Sequence, residues 1–196
     1  MHLILGSQSP RRRELMAGTD LPFTAVNIHA DESFPCDLQG GDIPLYVACA
    51  KARAYANHLT EDDLLITADT IVWLDGEMLG KPKDEQDACR MLRQLSGKTH
   101  QVFTAVAFAR LQDGVFGIQH SFVCQTDVTF RTLTDEEITH YVEKYHPLDK
   151  AGAYGVQEWI GYVGVTEMRG SYFNVMGFPI QRVYSYLQRI QDGEWS

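Results

Sequence analysis

Residues 2–14, HLILGSQSPRRRE, decide the fold because they predict a strand, a tight turn and a helix in immediate succession. His2 to Gly6 has the apolar character of a short buried strand. Ser9 is a suitable N-cap residue, and Pro10 suits the first position of a helix. The chain therefore opens with a strand–turn–helix unit, and the first turn of its helix is basic.

Arg11, Arg12 and Arg13 stand where a helix N-terminus already carries partial positive charge. Each cation is unfavourable there by about 0.3–1 kcal/mol. A bound anion would resolve this conflict, because backbone N–H groups, the helix dipole and the guanidinium groups would all point at it. A solvated basic turn paired with Glu14 is the alternative. Residue types alone do not say which arginines face inward.

Strands and helices are interleaved along the rest of the chain without a Pro- or Ser-rich linker. This interleaving predicts an α/β fold in a single domain over residues 1–196, and a long hairpin through Asp113-Gly114 favours a mixed sheet. The other predicted elements are a strand at 23–26, a helix at 43–58 with its apolar stripe on Tyr46, Val47, Ala50 and Ala54, a helix with Ala88, Met91, Leu92 and Leu95, strands at 102–110 and 116–131, a helix opened by a Thr134/Glu137 capping box, and a last helix after Pro179.

Composition excludes several classes of protein. The chain has 196 residues, 44% of them hydrophobic, and 26 acidic against 17 basic residues give a formal charge of −9. This charge disfavours binding to a nucleic acid polymer. The four cysteines form no CxxC pair, and no apolar run approaches the length of a membrane span. The N-terminal apolar stretch is only Leu3 to Leu5, and the arginines follow it, which is the wrong order for a signal peptide. We therefore expect a soluble cytoplasmic protein.

Two acidic positions are candidates for chemistry. Asp69 lies at the end of the apolar run that begins at Leu64 and interrupts a strand pattern that Ile71-Val72-Trp73 continues to the Asp75-Gly76 turn. Burying a carboxylate is costly unless it is hydrogen-bonded, paired or bound to a metal. A structural aspartate that caps a turn fits the pattern equally well. Asp31 and Glu32 offer carboxylates to a hard cation such as Mg²⁺, although adjacent acids are usually just solvated.

Lysines in glycine-containing turns are further candidates. Lys81 lies in Gly80-Lys-Pro, and Lys150 lies in the segment 149–155, which we expect to be flexible. An ordinary surface lysine is the alternative at both positions. Ser96-Gly-Lys-Thr ends like a Walker A loop, but Leu92 stands where the first glycine is required, so this stretch predicts a helix C-cap and turn.

Together these motifs resemble the Maf family of nucleotide pyrophosphatases, and they occur in the order typical of that family over nearly the whole chain. The resemblance implies the mixed α/β fold of the inosine triphosphate pyrophosphatases (Maf/Ham1), with a central cleft. The matching pieces are Ser7-Gln-Ser-Pro-Arg-Arg, Lys51-Ala-Arg, Ala68-Asp-Thr, Gly80-Lys-Pro, Leu95-Ser-Gly-Lys-Thr, Asp149-Lys-Ala-Gly-Ala-Tyr-Gly, Gly170-Ser-Tyr and Val175-Met-Gly-Phe-Pro.

The resemblance implies cleavage of a nucleoside triphosphate between its α- and β-phosphates, and residues 149–157 are similar to the branch acting on dTTP and UTP. In that branch the glutamine matching Gln157 is commonly followed by glycine, whereas Glu158 stands here. The implied phosphate-binding residues are Ser7, Arg11, Arg12, Lys51 and Lys81. Asp69 is implied as base or ligand of Mg²⁺ or Mn²⁺, Glu32 as a further metal ligand, and Gln157, Arg11 and Thr70 as determinants of substrate choice.

Two other functions stay open at this point. A nucleotide-binding regulator of cell division and septum formation would bind without turnover. A phosphatase acting through an aspartyl-phosphate is disfavoured because Ile71 stands where a second aspartate is needed. For the enzyme, the resemblance implies a homodimer and a house-cleaning role in removing excess or non-standard pyrimidine nucleotides.

Overall fold

The computed structural model describes residues 1–193, in which seven helices and seven strands are interleaved. The helices are α1 (Pro10–Ala17), α2 (Asp42–Ala54), α3 (Glu85–Leu95), α4 (Asp135–Tyr145), α5 (Trp159–Gly164), α6 (Tyr172–Val175) and α7 (Ile180–Gln191). The strands are β1 (His2–Gly6), β2 (Phe23–Val26), β3 (Asp63–Leu74), β4 (Glu77–Leu79), β5 (Thr99–Gln112), β6 (Val115–Phe130) and β7 (Val165–Arg169). Short 3₁₀ segments lie at Ala56–His58, Pro147–Asp149 and Ala151–Ala153.

The strands form a mixed sheet in the order β2-β1-β3-β5-β6-β7, with β4 paired to β3. Strand β1 runs parallel to both neighbours, so that Ile4 lies opposite Thr24 and Leu65. Pairs β3–β4 and β6–β7 are antiparallel. Asp113 and Gly114, between β5 and β6, have φ of 52° and 75°, which suits the twist of a two-residue hairpin turn. The predicted mixed α/β sheet is confirmed.

The described chain divides into two compact units built from separate segments. The first unit comprises Met1–Asp69, Thr104–Cys124 and the chain from Gly177 onward. The second comprises Thr70–Phe103 and Gln125–Met176. The single domain over residues 1–196 stays a prediction.

In the first unit, helix α2 buries a different face from the predicted one. Val47, Ala48 and Ala52 are buried, whereas Tyr46 is 41% exposed and the helix ends at Ala54 instead of near His58. Ala48 packs against Ala105 and Ala107 of β5. Small side chains on both surfaces let the helix and the strand approach closely. The helix therefore buries its alanine face, although the opposite choice would have buried the larger apolar ring of Tyr46.

In the second unit, two local predictions are confirmed. Thr134 and Glu137 form the capping box of α4 through reciprocal hydrogen bonds. Helix α3 ends at Leu95, and Gly97 has φ of 72° in the following turn. Strand β7 and helices α5 and α6 have no counterpart among the predicted elements.

Residues 1–193 contain no helix that combines the length and apolar character needed to cross a bilayer.

Candidate active site

The corner between β1 and α1 is tightly built. A Cβ added at Gly6 would lie 2.4 Å from Ile28 Cδ1 and 3.1 Å from Thr67 Cγ2, so any larger residue here would force the Ile28 side chain to move. Ser7 is only 5% exposed, and its Oγ accepts a hydrogen bond from Ser9 N at 3.2 Å. The Ser9 side chain caps α1 as predicted. The backbone of this corner is therefore fixed by close packing and by two serine hydroxyls.

Two of the three arginines hold backbone carbonyl groups. Arg12 donates from Nε to Gly177 O at 2.7 Å and from Nη1 to Ala68 O at 2.8 Å. Arg13 donates from Nη2 to Ser7 O at 2.8 Å and so braces the corner. Burial lowers the pKa of the Arg12 guanidinium, and the carboxylate of Asp69 acts in the opposite direction. Arg12 therefore places a desolvated positive charge beside the residue that precedes Asp69.

Asp69 lies inside a strand that continues to the Asp75-Gly76 turn, as the strand-forming residues after it predict, and not at the end of one. Strand β3 continues unbroken from Asp63 to Leu74 because strand-forming residues follow Asp69 directly. The Asp69 side chain is 17% exposed, and its Oδ1 accepts a hydrogen bond from Lys51 Nζ at 2.8 Å. This ion pair supplies the partner that a largely buried carboxylate needs.

Lys51 joins Asp69 to a second carboxylate. Its Nζ lies 2.9 Å from Glu32 Oε1, and the Glu32 side chain is 56% exposed. Helix α2 aims this lysine at β3, because Thr67 Oγ1 donates to Ala48 O at 2.7 Å and positions three apart share a helix face. Two carboxylates from distant parts of the sequence thus converge on one ammonium group.

The predicted site residues divide between the units. The ammonium group of Lys51 contacts the carboxylates of both Glu32 and Asp69. The guanidinium group of Arg12 donates a hydrogen bond to the carbonyl of Ala68. The first unit holds Ser7, Arg11, Arg12, Glu32, Lys51 and Asp69, and the second holds Thr70, Lys81 and Gln157. Within β3, Thr70 follows Asp69 directly.

The second unit orders both lysine-containing segments. Gly152 N donates to Gly80 O at 3.0 Å, which ties the two segments together. Lys81 is exposed, but Lys150 is only 8% exposed and is not an ordinary surface lysine. This stretch includes the 3₁₀ segment Ala151–Ala153, and the expected flexibility of residues 149–155 stays a prediction.

Gln157 lies in a tight turn whose contacts sequence reasoning missed. Glu158 N donates to Gly155 O at 3.0 Å and closes the turn. The Glu158 carboxylate lies 3.2 Å from Lys150 Nζ and accepts a hydrogen bond from the hydroxyl of Tyr141. No sequence pattern indicates this last contact, since Tyr141 and Glu158 are 17 positions apart in different elements.

The carboxylates of the first unit suit one kind of cation site. Over residues 1–193, no group of three His, Cys, Asp or Glu side chains is arranged to hold a metal ion. Glu32 and Asp69 nevertheless present oxygen atoms to the same positive group. Mg²⁺ is often bound by one or two carboxylates, with water and substrate phosphate as its other ligands. The pair therefore fits a divalent cation that arrives with a phosphate ester.

Comparison with known proteins gives the family of the chain. The model of the Maf-like protein family matches residues 2–190, and the chain therefore belongs to this family. A dTTP/UTP pyrophosphatase of Phocaeicola vulgatus is 51% identical over 189 residues, which cover 96% of this chain and 95% of that protein. A protein of the same name from Porphyromonas gingivalis is 47% identical over 189 residues, covering 95% and 92%.

A solved structure supports the fold independently. The Staphylococcus aureus Ham1 protein superposes with a TM-score of 0.51, covers 99% of this chain and 100% of its own, and is 15% identical. At this identity the likeness concerns the fold alone. It agrees with the mixed α/β sheet that the strand order defines.

Proposed function

We propose that the protein hydrolyses dTTP and UTP between the α- and β-phosphates, giving the nucleoside monophosphate and pyrophosphate. The observation that carries this proposal is the convergence of Glu32 and Asp69 on Lys51, within the unit that contains the basic β1–α1 corner. The full-length likeness to relatives named dTTP/UTP pyrophosphatase supports the choice of reaction and substrate.

The basic side chains bind the triphosphate in this proposal. Arg11, Arg12 and Lys51 of the first unit, with Lys81 of the second, neutralise the charge that grows on the phosphate oxygens in the transition state. The hydroxyl of Ser7 and the backbone N–H groups at the start of α1 add hydrogen bonds to the same phosphates. Lys51 exchanges its contact with the two carboxylates for contact with a phosphate oxygen when substrate binds.

Glu32 and Asp69 would hold a divalent metal ion, Mg²⁺ or Mn²⁺, which neutralises phosphate charge and lowers the pKa of bound water. Asp69 additionally takes the proton from the attacking water. Its restricted exposure and its place inside β3 keep the carboxylate in a fixed position, as proton transfer requires.

Base recognition is assigned to Gln157, with Arg11 and Thr70 as further determinants of substrate choice. The carboxamide of Gln157 offers a donor and an acceptor, which match the carbonyl and N3–H of uracil or thymine. The side chain is half-buried, and its backbone carbonyl accepts a hydrogen bond from the Tyr162 hydroxyl at 2.9 Å. In this proposal, the hydrogen-bonded backbone supports a carboxamide that selects a pyrimidine.

A panel of nucleoside triphosphates tests the proposal. Purified protein is incubated with UTP, dTTP, CTP, GTP or 7-methyl-GTP and with Mg²⁺ or Mn²⁺, and both pyrophosphate and orthophosphate are measured. We expect pyrophosphate as first product, fastest from UTP and dTTP. A regulator that only binds nucleotide would release neither product, and orthophosphate as first product would indicate a phosphatase. The homodimer, the cytoplasmic location and the house-cleaning role stay predictions.

A further inference from the structure

We infer that Glu158 is a positioning residue that fixes Gln157 for recognition of the pyrimidine base, an inference that rests on the proposed function. Glu158 itself does not touch the base. It acts by holding the turn from Gly155 to Glu158, in which Gln157 is the third residue. Selectivity for the base then depends on an acid that takes no part in the phosphate chemistry.

One phenol holds both ends of this turn. The hydroxyl of Tyr141 accepts a hydrogen bond from Gly155 N at 3.0 Å and donates one to Glu158 Oε2. Tyr141 is fully buried in the core of the second unit, where it belongs to the same apolar cluster as Leu92. Helix α4 thus anchors the turn to the buried core of its unit.

Charge strengthens the anchor. Glu158 Oε1 lies 3.2 Å from Lys150 Nζ, and the same ammonium group lies 2.7 Å from Asp149 Oδ1. The Glu158 side chain is 20% exposed, so its carboxylate needs this positive partner. Hydrogen bonds to an ionised acceptor are stronger than neutral ones, which favours the bond from Tyr141.

Glu158 and the carboxamide of Gln157 both lie close to Gly155. A Cβ added at Gly155 would lie 2.8 Å from Glu158 Cδ and 3.1 Å from Gln157 Nε2. Both side chains therefore use the space that the missing side chain of Gly155 leaves. A carboxylate held over Gly155 limits the space beside this glycine that the carboxamide can enter.

The test compares binding of two nucleotides to one protein. Dissociation constants are measured by calorimetry, with Mg²⁺ present, for α,β-methylene analogues of UTP and GTP. The variants are Glu158→Gln, which removes the charge, and Tyr141→Phe, which removes the hydroxyl and keeps the ring. Glu143→Gln is the matched control, because it makes the same chemical change at an exposed position of α4.

We expect both test variants to reduce the preference for the UTP analogue about 3- to 10-fold, the effect of one weakened hydrogen bond. The control should keep the wild-type preference. A loss of folded protein cancels in this ratio, since both ligands bind the same fraction of each preparation. An unchanged ratio in both test variants would overturn the inference, as would a wild-type protein without any preference.

A double-mutant cycle separates positioning from general structural support. If Glu158 acts through Gln157, Glu158→Gln should not change the binding ratio further in a Gln157→Ala background. Additive effects would contradict the inference. Pyrophosphate release is assayed separately: a wild-type protein that prefers the UTP analogue without hydrolysing UTP would refute the proposed reaction and leave the role of Glu158 supported.

Discussion

Replacing Lys51 by methionine should destabilise the protein even though it removes only a charge at the end of a side chain. Methionine keeps most of the apolar stem of lysine. The change leaves Asp69 without an ammonium group at 2.8 Å, in a strand where its side chain is only 17% exposed. An uncompensated carboxylate in such a place is costly.

The size of the effect follows from the two contacts of Lys51. Removing one partner of a buried ion pair costs about 3–5 kcal/mol. The residual exposure of Asp69 and the positive charge of Arg12 reduce this cost to about 2–3 kcal/mol, because partial solvation and a second cation compensate the carboxylate. Glu32 is 56% exposed, so its contact adds about 0–1 kcal/mol. For a chain of this length, the total of about 2–4 kcal/mol corresponds to a fall of about 4–16 °C in Tm.

Urea and thermal unfolding, in the presence of a chelator, measure this loss. Lys98→Met is the matched control, because the Lys98 ammonium lies 2.7 Å from Asp75 Oδ2 but the two side chains are 50% and 68% exposed. We expect the control to change stability by no more than about 0.5 kcal/mol. Equal losses in the two variants, or a loss below about 1 kcal/mol for Lys51→Met, would refute the account of Asp69 as a carboxylate that depends on its ion pair.

Three further predictions concern the second unit. Gly152→Ala should lower the free energy of unfolding by at least about 2 kcal/mol, because φ is 68° and the new Cβ would lie 2.9 Å from Val72 Cγ2. Gly76→Ala is the control and should lower it by about 1 kcal/mol, because φ is 88° but nothing lies within 4 Å; equal urea midpoints for the two variants would contradict the prediction. Burial lowers the pKa of His100 to about 4, below its ordinary value of 6.5. Because the unfolded chain therefore binds the proton more tightly, the free energy of unfolding should fall as the pH drops from 6.5 towards 4. An NMR titration that finds this imidazole charged at pH 6 would contradict the prediction. Gln157→Ala should raise KM for UTP and dTTP more than it lowers kcat, and undiminished discrimination against GTP would count against its role.

Local signals made much of the fold predictable. The β1–α1 corner follows from an apolar run, a capping serine and a proline at the first helical position, and the capping box of α4 follows from Thr134 and Glu137. The buried face of α2 was not predictable in this way. It depends on alanines at 105 and 107 in β5, which lie more than fifty positions away from Ala48.

The candidate site shows the same division. Residue types and motif order indicate Arg12, Lys51 and Asp69 as members of a phosphate site. Sequence alone does not show that Lys51 contacts Glu32, because the loop that carries this acid is positioned by tertiary contacts. Sequence patterns also miss Glu158, whose partners Tyr141 and Lys150 are brought to it by the packing of the second unit.

The central claim is that Asp69, paired with Lys51 beside the arginines of the β1–α1 corner, drives the hydrolysis of a bound triphosphate. The most direct test is the rate of pyrophosphate release from UTP by Asp69→Asn, compared with the wild type at saturating substrate and Mg²⁺. We predict a folded variant whose kcat is at least ~10²-fold lower, the scale expected when a general base is lost. Turnover close to that of the wild type would contradict the claim.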